Sequence, residues 1–257
     1  MNYNYHTHTP YSRHASGTEE DYIKRAIECG IEYMGFSDHS PFSFPFDYES
    51  NFRVPLNKAE EYMIKLDGLR RKYKNKIDIK IGFEMEYYPG YFDQMVDTVK
   101  KVGCEYLILG QHFIYDEYPN GIRTIEKNSS EQHFKEYISC IISAIKSDVF
   151  SYIAHPDIFN YTGNFLAYVD GVRKLCRASN EYNIPLEVNF LGIRENRLYP
   201  NEDFWKIAGE EKAPVTFGFD AHDTMSAYDG ESLLKAEQLV SRYKLNYVGK
   251  PKIIELN

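Results

Sequence analysis

Histidines stand at the ends of several short apolar segments of this 257-residue chain. Six of its eight histidines lie at or next to the end of a strand-like run, and the acids Glu84 and Asp220 lie in similar places. The runs are Asn2–His8, Tyr33–His39, Lys80–Glu86, Tyr106–His112, Ser151–His155 and Thr216–His222. Neutral imidazole is a common ligand of transition metals, and a carboxylate can bridge two cations. The pattern therefore predicts a buried site for more than one metal ion.

A helical pattern follows most of these runs. The first begins with Thr18 and Asp21 at the spacing of a capping box and continues with apolar residues on one face. The predicted helices are Thr18–Cys29, Asn57–Lys74, Phe92–Val102, Ser130–Ser147, Leu166–Tyr182, Asn201–Glu211 and Gly230–Lys244. Further strands are predicted at Leu186–Asn189 and, weakly, at Leu245–Gly249. Strand and helix therefore alternate along almost the whole chain.

This alternation predicts an α/β fold with a parallel sheet, since the runs are apolar on both faces, as in buried parallel strands. A barrel brings the carboxyl end of every strand to one mouth, whereas an open sheet brings together only the strands near its switch point. We therefore expect a TIM-like barrel with the metal site at the C-terminal mouth of the strands. The segment 41–55, rich in Phe and Pro, has no clear pattern and is a candidate lid.

Composition limits the class of protein. With 43% apolar residues, residues 1–257 are expected to form a single domain with a large core. The net charge of −8, with both signs interspersed, argues against nucleic acid as a partner. The four cysteines are scattered, as is typical of a reducing compartment, and there is no leader-like or membrane-spanning stretch. We expect a soluble, cytoplasmic protein without a membrane partner, as a monomer or a homodimer.

The histidines differ in what their positions predict. Residues two apart on a strand point the same way, so His6 and His8 are expected to face one side together. Unpartnered imidazoles are costly in an apolar core, which favours metal binding over packing. The remaining candidate ligands are His14, His39, His112, His155 and His222, together with Glu84 and Asp220. His133 is the exception, because it lies within a predicted helix; we expect a surface or packing role for it.

Two further acids stand beside candidate ligands. Glu86 lies on the same side of its strand as Glu84 and is expected to be an outer hydrogen-bond partner rather than a ligand. Asp38, which precedes His39, is either an acid that supports the ligands or a proton donor, and its position does not decide between these roles.

The arginines are expected to be mostly solvated surface residues: Arg13, Arg53, Arg123, Arg194 and Arg197. Arg194 stands out because it follows the strand Leu186–Asn189, at the mouth where an anionic substrate would bind. The planar fork of a guanidinium suits a phosphate. Arg194 is therefore the first candidate for substrate binding, with Arg13 and Arg197 next.

The order of these motifs resembles that of the PHP phosphoesterases, a family named for polymerase-associated and histidinol phosphatase domains. The motifs are His6-Thr7-His8, His14, Ser37-Asp38-His39-Ser40, Glu84, His112, Ala154-His155-Pro156 and Asp220-Ala221-His222. They follow the family's order, and no ligand is missing. The resemblance implies a distorted (βα)7 TIM-like barrel with a trinuclear metal centre at the C-terminal mouth.

The resemblance also implies three sets of ligands. One metal would be bound by His6, His8, Glu84 and Asp220; a second would share Glu84 and add His112 and His155; a third would be bound by His14, His39 and His222. Nitrogen and oxygen ligands without cysteine fit three divalent transition metals (Zn, Fe or Mn) better than Mg or Ca. Glu84 and Asp220 are expected to be catalytic through these metals, and Asp38 is the further catalytic candidate.

Within the family, the loops resemble those of the monofunctional histidinol-phosphate phosphatases. The similar segments are residues 37–41, 110–113, 191–194 and 199–200, and Arg194 matches the family's phosphate-binding arginine by its Leu-Gly-Ile-Arg context. A departure is Gln111, where these relatives often have a small residue before the histidine. The resemblance implies a metal-dependent phosphomonoesterase with a small phosphorylated substrate, L-histidinol phosphate, in histidine biosynthesis.

Three alternatives stay open beside this expectation. A phosphoesterase of the same family could act on another small phosphate ester, such as a nucleotide. An amidohydrolase-type deaminase would also begin with His-x-His, but it has no use for the set of His14, His39 and His222. A non-catalytic metal-binding module is the third, although such modules tend to lose ligands that are all present here.

Overall fold

The computed structural model describes residues 1–46, 48–119 and 121–256. Its strands are β1 (Tyr3–Asn4), β2 (Tyr33–Phe36), β3 (Asp78–Met85), β4 (Tyr106–Leu109), β5 (Phe113–Ile114), β6 (Ile122–Arg123), β7 (Phe150–Ile153), β8 (Leu186–Asn189), β9 (Pro214–Gly218) and β10 (Asn246–Tyr247). Eight of them form a parallel sheet in the order β1-β2-β3-β4-β7-β8-β9-β10. The other two, β5 and β6, form a small antiparallel hairpin. All the carboxyl ends of the parallel strands therefore point to one mouth.

The first and last parts of this sheet are joined beyond their regular strands. Thr7 and Ala221 form a parallel bridge, in which His8 N donates to Ala221 O at 2.9 Å and Ala221 N donates to His6 O at 3.2 Å. This bridge closes the curled sheet at its mouth. The predicted distorted TIM-like barrel is confirmed.

Helices cover the outside of the sheet. They are α1 (Glu19–Glu28), α2 (Ala59–Tyr73), α3 (Phe92–Lys101), α4 (Glu131–Lys146), α5 (Phe165–Tyr182), α6 (Phe190–Arg194), α7 (Glu202–Glu211) and α8 (Gly230–Tyr243). Side chains cap several of them, as at Thr18, which accepts from Asp21 N at 3.2 Å. Seven helices match the predictions to within a few residues, but the five-residue α6 was missed because it is too short to show a period. None of the described helices is both long enough and apolar enough to cross a membrane.

The lower part of the barrel interior is filled with aromatic side chains. A separate apolar cluster has members only on β1, β4, β7 and the segments that continue them, including Tyr3, Tyr5, Tyr106 and Tyr152. Tyr106 Oη donates to Tyr5 O at 2.8 Å. This cluster fills the barrel interior below the carboxyl ends of the strands, where the predicted ligands lie.

Candidate metal centre

The structure brings all nine predicted ligands together at the mouth of the barrel. Two carboxylates form the centre of the group: Glu84 lies near the end of β3, and Asp220 lies just after β9. Glu84 Oε2 is 3.5 Å from His6 Nε2 and 3.3 Å from His8 Nε2. Asp220 Oδ1 is likewise 3.5 Å from His6 Nε2 and 3.3 Å from His8 Nε2. These four side chains therefore bring two nitrogen and two oxygen atoms close together, which are enough donors for one metal ion.

The second carboxylate oxygen of Glu84 faces another pair of histidines. Glu84 Oε1 is 2.9 Å from His155 Nε2 and 3.5 Å from His112 Nε2. Each oxygen of Glu84 thus serves a different group of imidazoles. This is the arrangement that a bridging carboxylate needs.

The remaining histidines pack around His8. Its ring centroid is 4.3 Å from that of His222, 4.7 Å from that of His39 and 5.6 Å from that of His14. The ligand atoms of His8, His14 and His39 lie within 4.8 Å of one another. His39 Nδ1 is also 3.2 Å from Glu84 Oε2. The three ligand sets therefore adjoin each other in space, with His8 and His39 at the boundaries between them.

The electrostatics of the cluster suit cations. Burial alone would raise the pKa of Glu84, but the imidazoles of His39 and His112 lower it well below its ordinary value. Burial lowers the pKa of His39 well below 6.5, and burial together with the neighbouring His8 lowers that of His222 to about 3. Burial acts in the same direction on His6, His8 and His112, but the neighbouring carboxylates outweigh it and raise the pKa values of these three imidazoles. Because neutral imidazoles and ionised carboxylates are the forms that bind metals, a bound cation would displace protons from these three histidines.

Several buried ligand atoms have no hydrogen-bond partner. Among the described residues these include His6 Nε2, His39 Nδ1 and Asp220 Oδ1. Leaving a buried polar atom unpaired costs free energy, and bound cations would remove that cost at all three atoms together. The donor set present therefore fits divalent metal ions.

A buried acid that sequence reasoning missed holds two of these histidines. Glu187, in the middle of β8, accepts from His6 Nδ1 at 2.8 Å and from the backbone N–H of His155 at 3.1 Å. Asn189 Nδ2 donates to the same carboxylate at 2.8 Å and to Asp220 Oδ2 at 3.0 Å. Because Glu187 receives the Nδ1 proton, His6 presents Nε2 to the centre of the cluster. The available signal was a glutamate between two apolar strand residues, Leu186 and Val188.

Glu86 does the same for His112, as predicted. His112 Nδ1 donates to Glu86 Oε1 at 2.9 Å, which leaves Nε2 facing Glu84. The chain also leaves space for the buried acids, since a Cβ at Gly110 would overlap Glu84 and a Cβ at Gly218 would overlap Glu187.

Asp38 is not placed for proton transfer to a substrate. Its two oxygens accept from the backbone N–H and the hydroxyl of Thr9, both at 2.7 Å, and its side chain is fully buried. Burial raises its pKa to about 6, although His8 and Thr9 act against the shift. The contacts of Asp38 fix the segment that follows His8, so the structure favours the supporting role over the predicted catalytic one.

A cavity of about 500 Å³ opens above the ligands. Its walls include aromatic and aliphatic side chains as well as two arginines, Arg123 and Arg197. Arg197 pairs with Glu195 at 2.6 Å, and both line the cavity. Arg123 has no carboxylate within ion-pair distance in the described part of the chain.

The other predicted arginines are occupied elsewhere. The guanidinium of Arg194 donates to Asp229 at 3.1 Å and to the backbone oxygen of Asp220 at 3.2 Å, so it braces a ligand from behind instead of facing the cavity. Arg13 pairs with the exposed Glu49. Of the three predicted substrate-binding arginines, the structure places only Arg197 on the cavity wall.

Two further expectations can be compared with the structure. His133 forms a hydrogen bond with Asn128, which lies just before its helix, and it is not part of the histidine cluster, as predicted. The candidate lid 41–55 has no helix or strand among its described residues, and Asp47 lies outside them. Phe52 of this segment lines the cavity, and its ring lies 4.8 Å from that of His39. Arg53, expected to be solvated, is instead only 2% exposed.

Gln111 is also buried, and its amide is fully engaged. Gln111 Oε1 accepts from Tyr87 N at 2.9 Å, and its Nε2 donates to Phe113 O at 2.8 Å. The residue ties the end of β4 to the segment after β3 and to Phe113, which lines the cavity.

Comparisons with known proteins agree with this geometry. The chain is 25% identical over 224 residues to a probable histidinol-phosphatase of Deinococcus radiodurans, covering 84% of this chain and 85% of that protein. It is 25% identical over 248 residues to a histidinol-phosphatase of Bacillus subtilis, covering 84% and 92%. The crystal structure of a histidinol phosphate phosphatase from Lactococcus lactis, complexed with zinc, L-histidinol and phosphate, is similar with a TM-score of 0.71. That similarity covers 96% of this chain and 95% of the other at 21% identity, and it supports the fold.

The family assignment has a broader basis than these pairwise similarities. The profile of the PHP domain matches residues 4–190, which contain seven of the nine clustered side chains. The other two, Asp220 and His222, follow the matched range and close the same cluster in space. The chain belongs to the PHP domain family.

Proposed function

We propose that this protein is a metal-dependent phosphomonoesterase that hydrolyses L-histidinol phosphate to L-histidinol and phosphate. The observation that carries the proposal is the convergence of seven histidines and two carboxylates below an open cavity, with the two oxygens of Glu84 facing different groups of imidazoles. The names of its curated relatives supply the substrate. We propose that residues 1–257 form a single barrel domain. Its substrate is a small phosphate ester and not nucleic acid.

The metal centre is proposed to hold three divalent transition metals, Zn, Fe or Mn. The first would be bound by His6, His8, Glu84 and Asp220, the second by Glu84, His112 and His155, and the third by His14, His39 and His222. When bound, such ions supply a water nucleophile at neutral pH and neutralise charge on the phosphoryl oxygens. The chain's contribution is to orient the imidazoles, through Glu187 at His6 and Glu86 at His112.

The cavity wall offers a partner for each part of L-histidinol phosphate. Arg123 and Arg197 are guanidiniums that can bind phosphate oxygens by paired hydrogen bonds. Among the described residues, Glu195 is the one carboxylate that lines the cavity outside the metal ligands, so it is the candidate partner of the substrate ammonium. Phe52 and Phe113 offer apolar faces on which an imidazole ring can stack.

A substrate panel tests this proposal. The purified protein is assayed with L-histidinol phosphate, nucleoside monophosphates, an aryl phosphate and the analogue of L-histidinol phosphate that lacks the amino group. The proposal expects kcat/KM to be highest for L-histidinol phosphate, and it expects Glu195→Gln to lower kcat/KM for that substrate but not for the analogue without the amine. A higher kcat/KM for nucleoside monophosphates would reject the substrate, and deaminase activity without phosphatase activity would reject the reaction class.

A further inference from the structure

Arg53 carries a buried charge that the proposed chemistry does not use. Its Nε donates to Glu117 Oε2 at 2.8 Å, and its NH2 group donates to Glu86 Oε2 at 2.6 Å. Its NH1 group donates to Ser40 O at 3.2 Å. Both glutamates are buried, so all three charges lie out of contact with water. Because the cost of removing these charges from water can exceed the gain from their attraction, stability alone does not account for this group.

The geometry that Arg53 fixes includes a metal ligand. Glu86 divides its carboxylate, giving Oε2 to Arg53 and Oε1 to His112 Nδ1 at 2.9 Å. The guanidinium thereby sets the orientation of the carboxylate, and the carboxylate sets the orientation and tautomer of the imidazole. His112 is less buried than His155, the other imidazole next to Glu84 Oε1. Its orientation therefore depends more on the hydrogen bond to Glu86 than that of a histidine packed on every side would.

Arg53 also belongs to the segment 41–55, which contributes Phe52 to the cavity wall. On either side of Arg53 this segment is held in place, since Val54 N donates to His39 O at 3.1 Å and the ring of Phe52 lies 5.0 Å from the guanidinium. Glu117, the second partner, lies in the connection between β5 and β6, which carries Arg123 into the same cavity. The guanidinium of Arg53 therefore connects His112, through Glu86, to the two segments that carry Phe52 and Arg123 into the cavity wall.

We infer that Arg53 is a positioning residue for the predicted metal ligand His112, acting through Glu86, so that binding of the metal at His112 and His155 depends on the placement of residues 52–54. The inference rests on the proposed metal centre. It adds that metal affinity depends on a loop that contains no ligand. Arg53 touches neither ligand atoms nor the cavity, and its effect on chemistry is transmitted by the bond from His112 to Glu86.

The test is a metal titration of Arg53→Met and Arg53→Lys by chelator competition, with metal content and unfolding temperature measured in parallel. In Arg53→Met, the affinity for one equivalent of metal should fall roughly tenfold to hundredfold, while the other equivalents keep their wild-type affinity. Arg53→Lys keeps a charge near Glu86 without the fork and should recover part of that affinity. Arg173→Met is the matched control, because Arg173 also joins two glutamates, Glu210 and Glu211, but on the outer helices.

Each outcome decides the inference. If Arg53→Met lowers only the unfolding temperature, or weakens every equivalent to the same degree, Arg53 is a structural anchor and the inference is wrong. If Arg53→Met does not fold, the double variant Arg53→Met/Glu117→Gln is titrated in its place, because it no longer buries the unpaired charge of Glu117. The same two results, a change in unfolding temperature alone or equal weakening of every equivalent, would then reject the inference. A wild-type protein that binds metal but does not hydrolyse L-histidinol phosphate would reject the proposed substrate and leave this comparison intact.

Discussion

Glu187→Gln is expected to weaken metal binding although it removes no ligand. In the wild type, one oxygen of Glu187 accepts from His6 Nδ1, and the other accepts from His155 N and Asn189 Nδ2. A glutamine has only one acceptor oxygen, so its amide N–H must face either His6 Nδ1 or the two other donors. The side chain cannot turn to solvent, because Glu187 is fully buried.

The magnitude follows from these bonds. Losing the outer partner of a ligating histidine typically costs tenfold to a hundredfold in metal affinity. That range equals about 1.4–2.8 kcal/mol, since each factor of ten is about 1.4 kcal/mol. The metal-free protein should lose about 1.5–3 kcal/mol of unfolding free energy, the typical worth of one hydrogen bond to a charged group. Both effects should appear together, because the same carboxylate serves the ligand and the fold.

Chelator competition and denaturant unfolding of the metal-free protein measure the two effects. Glu105→Gln is a matched control: Glu105 accepts from Ile81 N at 2.8 Å, but it lies at the start of β4, away from the mouth. The control should lose stability and keep its metal affinity. Wild-type metal affinity in Glu187→Gln would refute the reasoning that this carboxylate orients His6.

The remaining predictions concern the ligands and the arginines. Glu84→Ala and Asp220→Ala should each lose metal and lower kcat by several orders of magnitude, measured by elemental analysis and steady-state kinetics. His133→Ala should keep metal content and kcat near the wild-type values, and a loss as large as that of Glu84→Ala would mean that the site is misplaced. Arg197→Lys should lower kcat/KM at normal metal content, because an ammonium cannot replace the guanidinium fork. Arg194→Lys should instead lower metal affinity, because Arg194 supports Asp220. A loss of kcat/KM at normal metal affinity in that variant would show that Arg194 binds the substrate.

Much of the site could be predicted because its ligands follow strands, whose periodicity is visible in the sequence. Eight of the nine clustered side chains lie at or near the ends of apolar runs, and seven helices show the helical period. His14 is the exception, because it lies in the loop that follows the first run. The short β5–β6 hairpin and α6 could not be found this way, because elements of two to five residues show no period.

Partners across the fold were harder to predict than positions along it. Glu187 and Arg53 are separated by 181 and 64 residues from the side chains they bind, His6 and Glu117, and no local pattern joins such pairs. Arg194 was expected at the cavity because it follows a strand. The turn of α6 directs its guanidinium to the backbone of Asp220 instead. The position of a residue in the sequence predicts at which end of the barrel it lies, whereas the direction of its side chain depends on the completed fold.

The central claim is that nine side chains form one centre for three divalent metals. Elemental analysis of the purified protein, with phosphatase activity on L-histidinol phosphate measured before and after prolonged chelation, tests it most directly. We expect close to three equivalents of transition metal for each chain, loss of activity on chelation, and recovery when Zn, Mn or Fe is added. A single equivalent of metal, or full activity in the metal-free protein, would contradict it.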